Sequence, residues 1–524
     1  MSGKLPIGIQ SFEKLRNEKF VYVDKTEYIY RLVQNTVPYF LSRPRRFGKS
    51  LLLSTLRAYW EGKKELFKGL KIVKLLAGKK YAWQPYPVFY FDFNGANYND
   101  KHALEDVLDI HLKRLEQQYQ IQVKGGLLSE RFQNLLMRVR EVTGRRVVVL
   151  VDEYDKPLLD VIDKPELEEQ NKEIFKGFFS SLKSYDEYLQ FVFITGVTRF
   201  NKVSIFSDLN QLNDISLNSE FDALCGITED EIHKYFDEEV EGLAQKQSLV
   251  KEVCLLALKK KYDGYTFCPG GTEVYNPFSL LKAFYECTFG SYWFETGTPT
   301  FLVKKIRETE FNIRKLSDKT LYANEATLSN YQADNVNPIP LLYQAGYLTI
   351  VDYDAADHVF TLAFPNEEVK YGFLENLLPE YTTASVLGSG NDIFTLRKYV
   401  EQGDCDKIML VLQSLFAGIT YTRSGDAFEH YFQTVIYLVF TLLGKFAQCE
   451  MQTFIGRIDC VLKTSHFIYV FEFKCDTPAD VALQQIESKE YELPFNADDR
   501  ELYKIGVAFD SKKRKLVDWI IRKK

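Results

Sequence analysis

Ser42-Arg43-Pro44-Arg45-Arg46-Phe47-Gly48-Lys49-Ser50 separates a short apolar run, Pro38 to Leu41, from a helical pattern, Leu51 to Trp60. Gly48-Lys49-Ser50 is the end of a GxxxxGK[ST] phosphate loop. Glycine lets backbone N–H groups approach phosphate oxygens, lysine reaches the terminal phosphates, and a serine hydroxyl is a hard ligand for Mg2+. The motif's first glycine is replaced by Arg43, so the loop is expected to turn on Pro44. Taken alone, the triplet matches by chance about as often as by function.

Working outward, short apolar runs alternate with helical patterns from about Val37 to Gly196. Pro87 to Phe93, Val147 to Asp152 and Phe191 to Thr195 read as strands. Leu104 to Tyr119 and Phe175 to Leu182 read as helices. Continuous apolar strands between helices predict a mostly parallel sheet covered on both faces. The third run, Arg146 to Val151, ends in Asp152-Glu153. That pattern suits a carboxylate holding Mg2+ through water and a second one polarising the attacking water. Thr195 ends its strand where a γ-phosphate sensor sits, and Arg199 follows within reach of a phosphate. Each feature has a structural reading as well: a solvated acidic turn for Asp152-Glu153, a carbonyl- or acid-bound arginine for Arg199. The three in this order favour a nucleotide site.

Further along, Glu229 to Phe236 and Leu249 to Lys260 read as helices. Asn276 to Leu378 mixes helices with a strand pair, Tyr347 to Val351 and Val359 to Ala363. From about Asp392 the pattern becomes two helices, a hairpin, a helix and a last strand. In that hairpin, Gly456-Arg457-Ile458-Asp459-Cys460-Val461-Leu462 precedes Phe467 to Lys474. A two-residue turn at Thr464-Ser465 sets Asp459 opposite Val470, with Glu472 diagonal to it on the same face and Lys474 two residues on. Two carboxylates and a lysine are what metal-assisted phosphodiester hydrolysis requires, the carboxylates binding Mg2+ and the lysine offsetting charge. An ExK triplet alone also describes a salt-bridged surface strand; Asp459 at hairpin spacing sharpens it. Glu429 opens an apolar helix upstream and offers a further carboxylate, although Asp426 to Glu429 also reads as a capping box. Gln485 and Lys489 share a face of a downstream helix, which is also an ordinary solvated face.

The chain has 524 residues, 46% of them apolar and 26% charged, with a formal charge of -6. At roughly 150 residues per domain this suggests about three soluble domains. The negative balance excludes a global field for nucleic acid, leaving local patches such as Lys512, Lys513, Arg514, Lys515 and Arg522 to Lys524. The eight cysteines form no CxxC pair, which argues against a zinc ribbon and for reduced thiols. No apolar leader opens the chain and the longest apolar stretch, Val435 to Leu443, is too short for a bilayer, so a cytoplasmic protein without a membrane partner is expected.

These pieces resemble a Bacteroidales-type family: AAA-ATPase-like proteins with a C-terminal PD-(D/E)xK nuclease domain. The resemblance runs through Leu5 to Arg16, Tyr22 to Thr26, Arg43 to Ser50, Val151 to Pro157, Phe206 to Asn210, Tyr292 to Gly297, Gly456 to Asp459, Glu472 to Lys474 and Ala482 to Ile486. It implies an α/β fold: a P-loop NTPase parallel-sheet domain over 1–275, a helical or winged-helix-like module over 276–385, and a PD-(D/E)xK nuclease-like α/β domain over 386–524. It implies nucleotide contacts at Arg45, Arg46, Phe47, Gly48, Lys49, Ser50, Leu51, Asp152, Thr195 and Arg199, and metal contacts at Ser50, Asp152, Asp459 and Glu472. Catalytic roles fall on Glu153, Glu429, Asp459, Glu472, Lys474 and Gln485. Phe12, Arg16 and Tyr22 border the adenine or are simply core. The expected cofactors are ATP and Mg2+, and the expected partner is nucleic acid, DNA before RNA, with homo-oligomerisation a further expectation. The leading expectation is an ATP-dependent nuclease, in defence or mobile-element control. The alternative is a regulatory NTP switch whose C-terminal domain binds nucleic acid or a partner without cutting.

Overall fold

The computed structural model describes residues 3–122, 126–199, 211–296, 313–317, 320–329, 337–381, 391–417, 426–444, 448–450, 459–513 and 515–524, with isolated positions between 302 and 311. Phe206 to Asn210 and Gly456 to Ile458 lie outside them, as does the side chain of Glu429. The chain divides into two compact units, one of residues 1–296 and 318–369, the other of residues 297–317 and 370–524.

In the first unit, β1 (Tyr39–Ser42), β2 (Val88–Asp92), β3 (Val147–Asp152), β4 (Leu189–Gly196) and β5 (Asn213–Asp214) form one sheet in the order β2-β3-β4-β1-β5. Every pairing is parallel. β1 and β3 are buried along their whole length, as their unbroken apolar runs require when helices cover both faces. Because β1 lies beside β4, with β3 next, the loop leaving β1 emerges beside the carboxyl ends of the two strands that carry Thr195 and Asp152. This is where open α/β sheets bind ligands.

A helical layer, Glu229–Tyr235, Asp237–Lys246, Lys251–Tyr262 and Pro277–Glu286, builds its own core around Phe236, Leu258, Tyr262 and Phe284. The same unit holds a three-stranded antiparallel sheet, β6 (Leu321–Asn324), β7 (Thr349–Asp354) and β8 (Val359–Ala363), in the order β6-β8-β7. β6 is an addition to the expected strand pair; its four residues, buried and exposed in alternation, are too few to stand out by period.

The second unit contains a mixed sheet in the order β13-β12-β11-β10-β9: β9 (Gln448–Glu450), β10 (Cys460–Lys463), β11 (Phe467–Cys475), β12 (Glu501–Asp510) and β13 (Lys515–Lys523). β11 and β12 are parallel and the Ala479–Ser488 helix joins them. Gly506 sets how closely that helix sits. A Cβ there would meet Ala479 O at 2.5 Å and Leu483 N at 2.6 Å, so only glycine admits the approach. Helices Asn391–Gln402, Cys405–Ala417 and Asp426–Gly444 precede the sheet. This corrects the expectation of two helices and one last strand. Among the described residues three helices form, and β13, whose short apolar centre is interrupted by Asp518 and flanked by charged ends, pairs along β12. Three of the basic residues there are in ion pairs: Lys513 with Asp510, Arg522 with Glu487 and Lys523 with Glu501.

Cys225, Cys254, Cys268, Cys287, Cys405, Cys460 and Cys475 are free thiols, and among the described residues no helix is long and apolar enough to cross a membrane.

Candidate functional sites

The phosphate loop takes its shape from two left-handed residues, Arg46 (φ 66°) and Gly48 (φ 93°). This corrects the expectation that Pro44 makes the turn: Arg46 adopts the strained conformation itself. Its guanidinium is anchored over the Phe278 ring at 3.6 Å. Gly48 caps the Lys49–Trp60 helix, and its carbonyl accepts from Leu52 N at 3.0 Å. Among the described residues no atom would lie within 4 Å of a Cβ at Gly48, so conformation and not space demands glycine there. Arg43, in the motif's glycine position, turns inward. It donates to Ser42 O, Ser216 O and Phe221 O and lies over Phe267 at 4.0 Å, tying the loop to the segment after β5. Lys49 Nζ donates to Arg43 O at 3.0 Å and Pro44 O at 3.1 Å.

The loop borders a cavity of about 540 Å3, within the usual size of a small-molecule site. Arg45, Arg46, Phe47, Gly48, Lys49, Ser50 and Leu51 all line it, together with Glu153. Phe47 is a wall residue, buried edge-on against Tyr265 at 4.7 Å. Lys25, Asn94, Lys156, Phe236 and Phe278, which carry no role in the sequence motifs, also line the cavity. Lys25 and Lys156 do fall within the stretches Tyr22 to Thr26 and Val151 to Pro157. Asn94, Phe236 and Phe278 come from separate segments that no spacing connects. Tyr22 also lines the cavity, whereas Phe12 is core against Tyr22 and Phe67, and Arg16 binds Leu66 O and Lys68 O.

Glu153 is in the left-handed region (φ 51°). Burial pushes its carboxyl above the ordinary value, Lys49 opposes this, Asp152 and Asp155 add to it, and Asn94 hydrogen-bonds its side chain. Asp152 and Thr195 are buried together at the strand ends, with Thr195 Oγ1 donating to Asp152 Oδ1 at 2.8 Å. Neither lines the cavity. Arg199 lies outside it too, buried in an ion pair with Asp214 at 2.7 Å, its backbone N–H donating to Gln344 Oε1. Asp155, which sits inside the Val151 to Pro157 stretch, anchors the turn after β4 by accepting from Val197 N (2.9 Å), Thr198 N (2.5 Å) and Thr198 Oγ1 (2.7 Å).

In the second unit the hairpin register differs from the two-residue-turn expectation. Cys460 pairs with Phe471 and Lys463 with Ile468, which extends to Asp459 opposite Glu472, not Val470. The reason is a longer turn closed by Thr464, whose Oγ1 accepts from His466 N and Phe467 N. A shift of two residues preserves the face, so Asp459 and Glu472 still meet. Asp459 Oδ2 accepts from Phe473 N at 2.8 Å. Glu472 is buried; its Oε1 accepts from Lys474 Nζ at 3.0 Å and from Gln485 Nε2, while its Oε2 has no hydrogen-bond partner among the described residues. Burial first, then Asp459, raises its carboxyl to about 7, against the lowering by Lys474. Gly506, beside Glu472 in the register, lets the Gln485 helix descend onto it. Gly506, a lone glycine inside β12, is the mark that this packing leaves in the sequence.

A buried carboxylate oxygen without a partner costs free energy unless something binds it. Glu472 Oε2 beside Asp459 therefore fits a divalent cation, for which carboxylate oxygens are suitable ligands. Among the described residues no three His, Cys, Asp or Glu side chains gather as a metal site, and the side chain of Glu429 lies outside them.

Residues 6–206 match the family described as predicted AAA-ATPase, and residues 427–519 match the PD-(D/E)XK nuclease superfamily. An uncharacterized protein in the vnfD 5′ region of Azotobacter chroococcum mcd 1 is 36% identical over 530 residues, covering 99% of this chain and 98% of that protein.

Proposed function

Because the chain belongs to the AAA-ATPase-like proteins that carry a C-terminal PD-(D/E)XK nuclease-superfamily domain, we propose that it binds and hydrolyses ATP in the P-loop cavity and cuts nucleic acid, DNA before RNA, at Asp459, Glu472 and Lys474. The functional division is 1–275 for the ATPase, 276–385 for the middle module and 386–524 for the nuclease. The observation that carries the reading is that Lys49 and Glu153 line one cavity and interact electrostatically, with a left-handed Gly48 in the same lining.

In the ATPase, backbone N–H groups at the start of the Lys49–Trp60 helix bind phosphate oxygens, and Lys49 exchanges its loop carbonyls for them. Glu153 takes the proton of the attacking water, with Asn94 orienting its carboxylate. Ser50 and Asp152 would hold Mg2+ here, as Asp459 and Glu472 would in the second unit. Bound at either site, the metal supplies charge stabilisation at phosphate oxygens and a more acidic water. In the nuclease, Gln485 and Lys474 fix Glu472 through Oε1, leaving Oε2 for a ligand. Lys474 also brings a positive charge to the scissile phosphate. A cytoplasmic setting, homo-oligomerisation and a role in defence or mobile-element control complete the proposal.

The test is to incubate the purified full chain with DNA and with RNA, with and without Mg2+ and ATP. Cleavage that needs Mg2+ supports the reading. ATP turnover without cleavage under any condition favours the binding switch instead.

A further inference from the structure

Both carboxylate oxygens of Asp152 carry a hydroxyl. Thr195 Oγ1 donates to Oδ1 at 2.8 Å, and the Tyr90 hydroxyl donates to Oδ2 at 3.2 Å. The donors come from β4 and β2, the strands on either side of β3. The parallel register sets Asp92 beside Asp152, and strand alternation puts Tyr90 on the face of Asp92, one pleat back. From there the long phenol reaches forward to Asp152, which a shorter side chain could not do. The Arg57 guanidinium, from the Lys49–Trp60 helix, lies 5.8 Å from the Tyr90 ring.

A carboxylate turns freely about its last torsion, which is broad and roughly two-fold. One hydroxyl on each oxygen removes that freedom. Each oxygen keeps acceptor capacity, since an ionised carboxylate offers about four lone-pair sites and the hydroxyls use two. A rotationally fixed carboxylate with lone pairs to spare is a pre-set metal ligand, and partners that orient a ligand govern metal affinity. We infer that Tyr90, acting with Thr195, is a positioning residue that fixes the Asp152 carboxylate, buried directly behind the cavity residue Glu153, for the divalent metal of the nucleotide site. This rests on the P-loop reading proposed above. Tyr90 belongs to none of the motifs of the sequence. Its role follows from the strand order, which sets β2 against β3.

The test uses the full chain and Mn2+ as a paramagnetic probe, titrated in the presence of ADP. Tyr90→Phe removes one hydroxyl and keeps the ring. It should raise the Mn2+ concentration for half-saturation about tenfold, the low end for losing such a partner. ADP affinity measured by calorimetry in EDTA should match wild type, which separates positioning from a damaged fold. Wild-type Mn2+ half-saturation in Tyr90→Phe overturns the inference. Thr195 tests the other oxygen, and serves if Tyr90→Phe does not fold. Thr195→Val should weaken Mn2+ and Thr195→Ser should restore it; equal weakening by both overturns the clamp. If wild type binds no ADP even in EDTA, the P-loop reading itself fails, and the inference with it.

Discussion

The backbone N–H of Phe473 donates to Asp459 Oδ2 at 2.8 Å, so the aspartate is fastened to the strand that carries Glu472 and Lys474. It precedes β10 and is held by β11. The constellation therefore depends on the hairpin closing in one register, and the Thr464 turn supplies that register.

Asp459→Ala and Lys474→Ala should each abolish Mg2+-dependent cleavage. One removes a metal ligand and the other a charge that the transition state needs. Neither should change ATP affinity, because Asp459 and Lys474 lie in a different compact unit from the P-loop cavity. Gel assays on DNA and RNA beside nucleotide calorimetry check both halves. Wild-type cleavage by both variants would put the activity elsewhere.

Metal binding at Glu472 should be pH-dependent in a stated direction. Its carboxyl titrates at about 7, raised by burial and by Asp459. The metal needs the ionised form, so affinity should fall as pH drops below about 7 and level off above it. The same shift acts on stability in the absence of metal. Between the ordinary carboxylate value and about 7 the folded state holds the extra proton, so stability declines as pH rises through that window. Glu472→Gln should flatten both curves, as titration calorimetry and melting at pH 6 and pH 8 would register.

Lys49→Ala should weaken ATP binding by one to two orders of magnitude, the scale of about 1.5–3 kcal/mol for hydrogen bonds to a charged group. The fold should survive, since the bonds lost within the protein are to two loop carbonyls. Unchanged affinity by calorimetry would remove the P-loop assignment.

Glu153→Gln should still bind ATP and turn it over roughly a hundredfold more slowly or worse, the usual scale for losing a general base. In the wild type, turnover should rise with pH through the raised Glu153 titration, because only the carboxylate accepts a proton. Wild-type rates in the variant would assign the base to another residue.

Arg199→Ala should act first on stability. It leaves Asp214 buried without its ion-pair partner, a loss of about 3–5 kcal/mol in comparable pairs. Thermal melting of the variant checks this. An unchanged melting temperature together with a large loss of ATP affinity would instead support the phosphate contact expected from its position after β4.

Local pattern determined much of this protein. The unbroken apolar runs of β1, β3 and β4 announce a sheet buried on both faces. Gly48-Lys49-Ser50 and Asp152-Glu153 follow strands because phosphate loops and acidic strand ends need those backbones. Glu472 and Lys474 share a face because a strand alternates. Tertiary structure decided which strands are neighbours, and no local pattern encodes that. The pairing of β2 with β3 gives Asp152 its Tyr90 hydroxyl, and the pairing of β1 and β3 on either side of β4 gathers the loop, Asp152 and Thr195. Arg199 read as a phosphate contact is buried against Asp214, a partner that β5 brings from elsewhere in the chain. The hairpin slipped by two residues because turn hydrogen bonds, not strand composition, set register. Asp459 and Glu472 still met because two is the period of a strand.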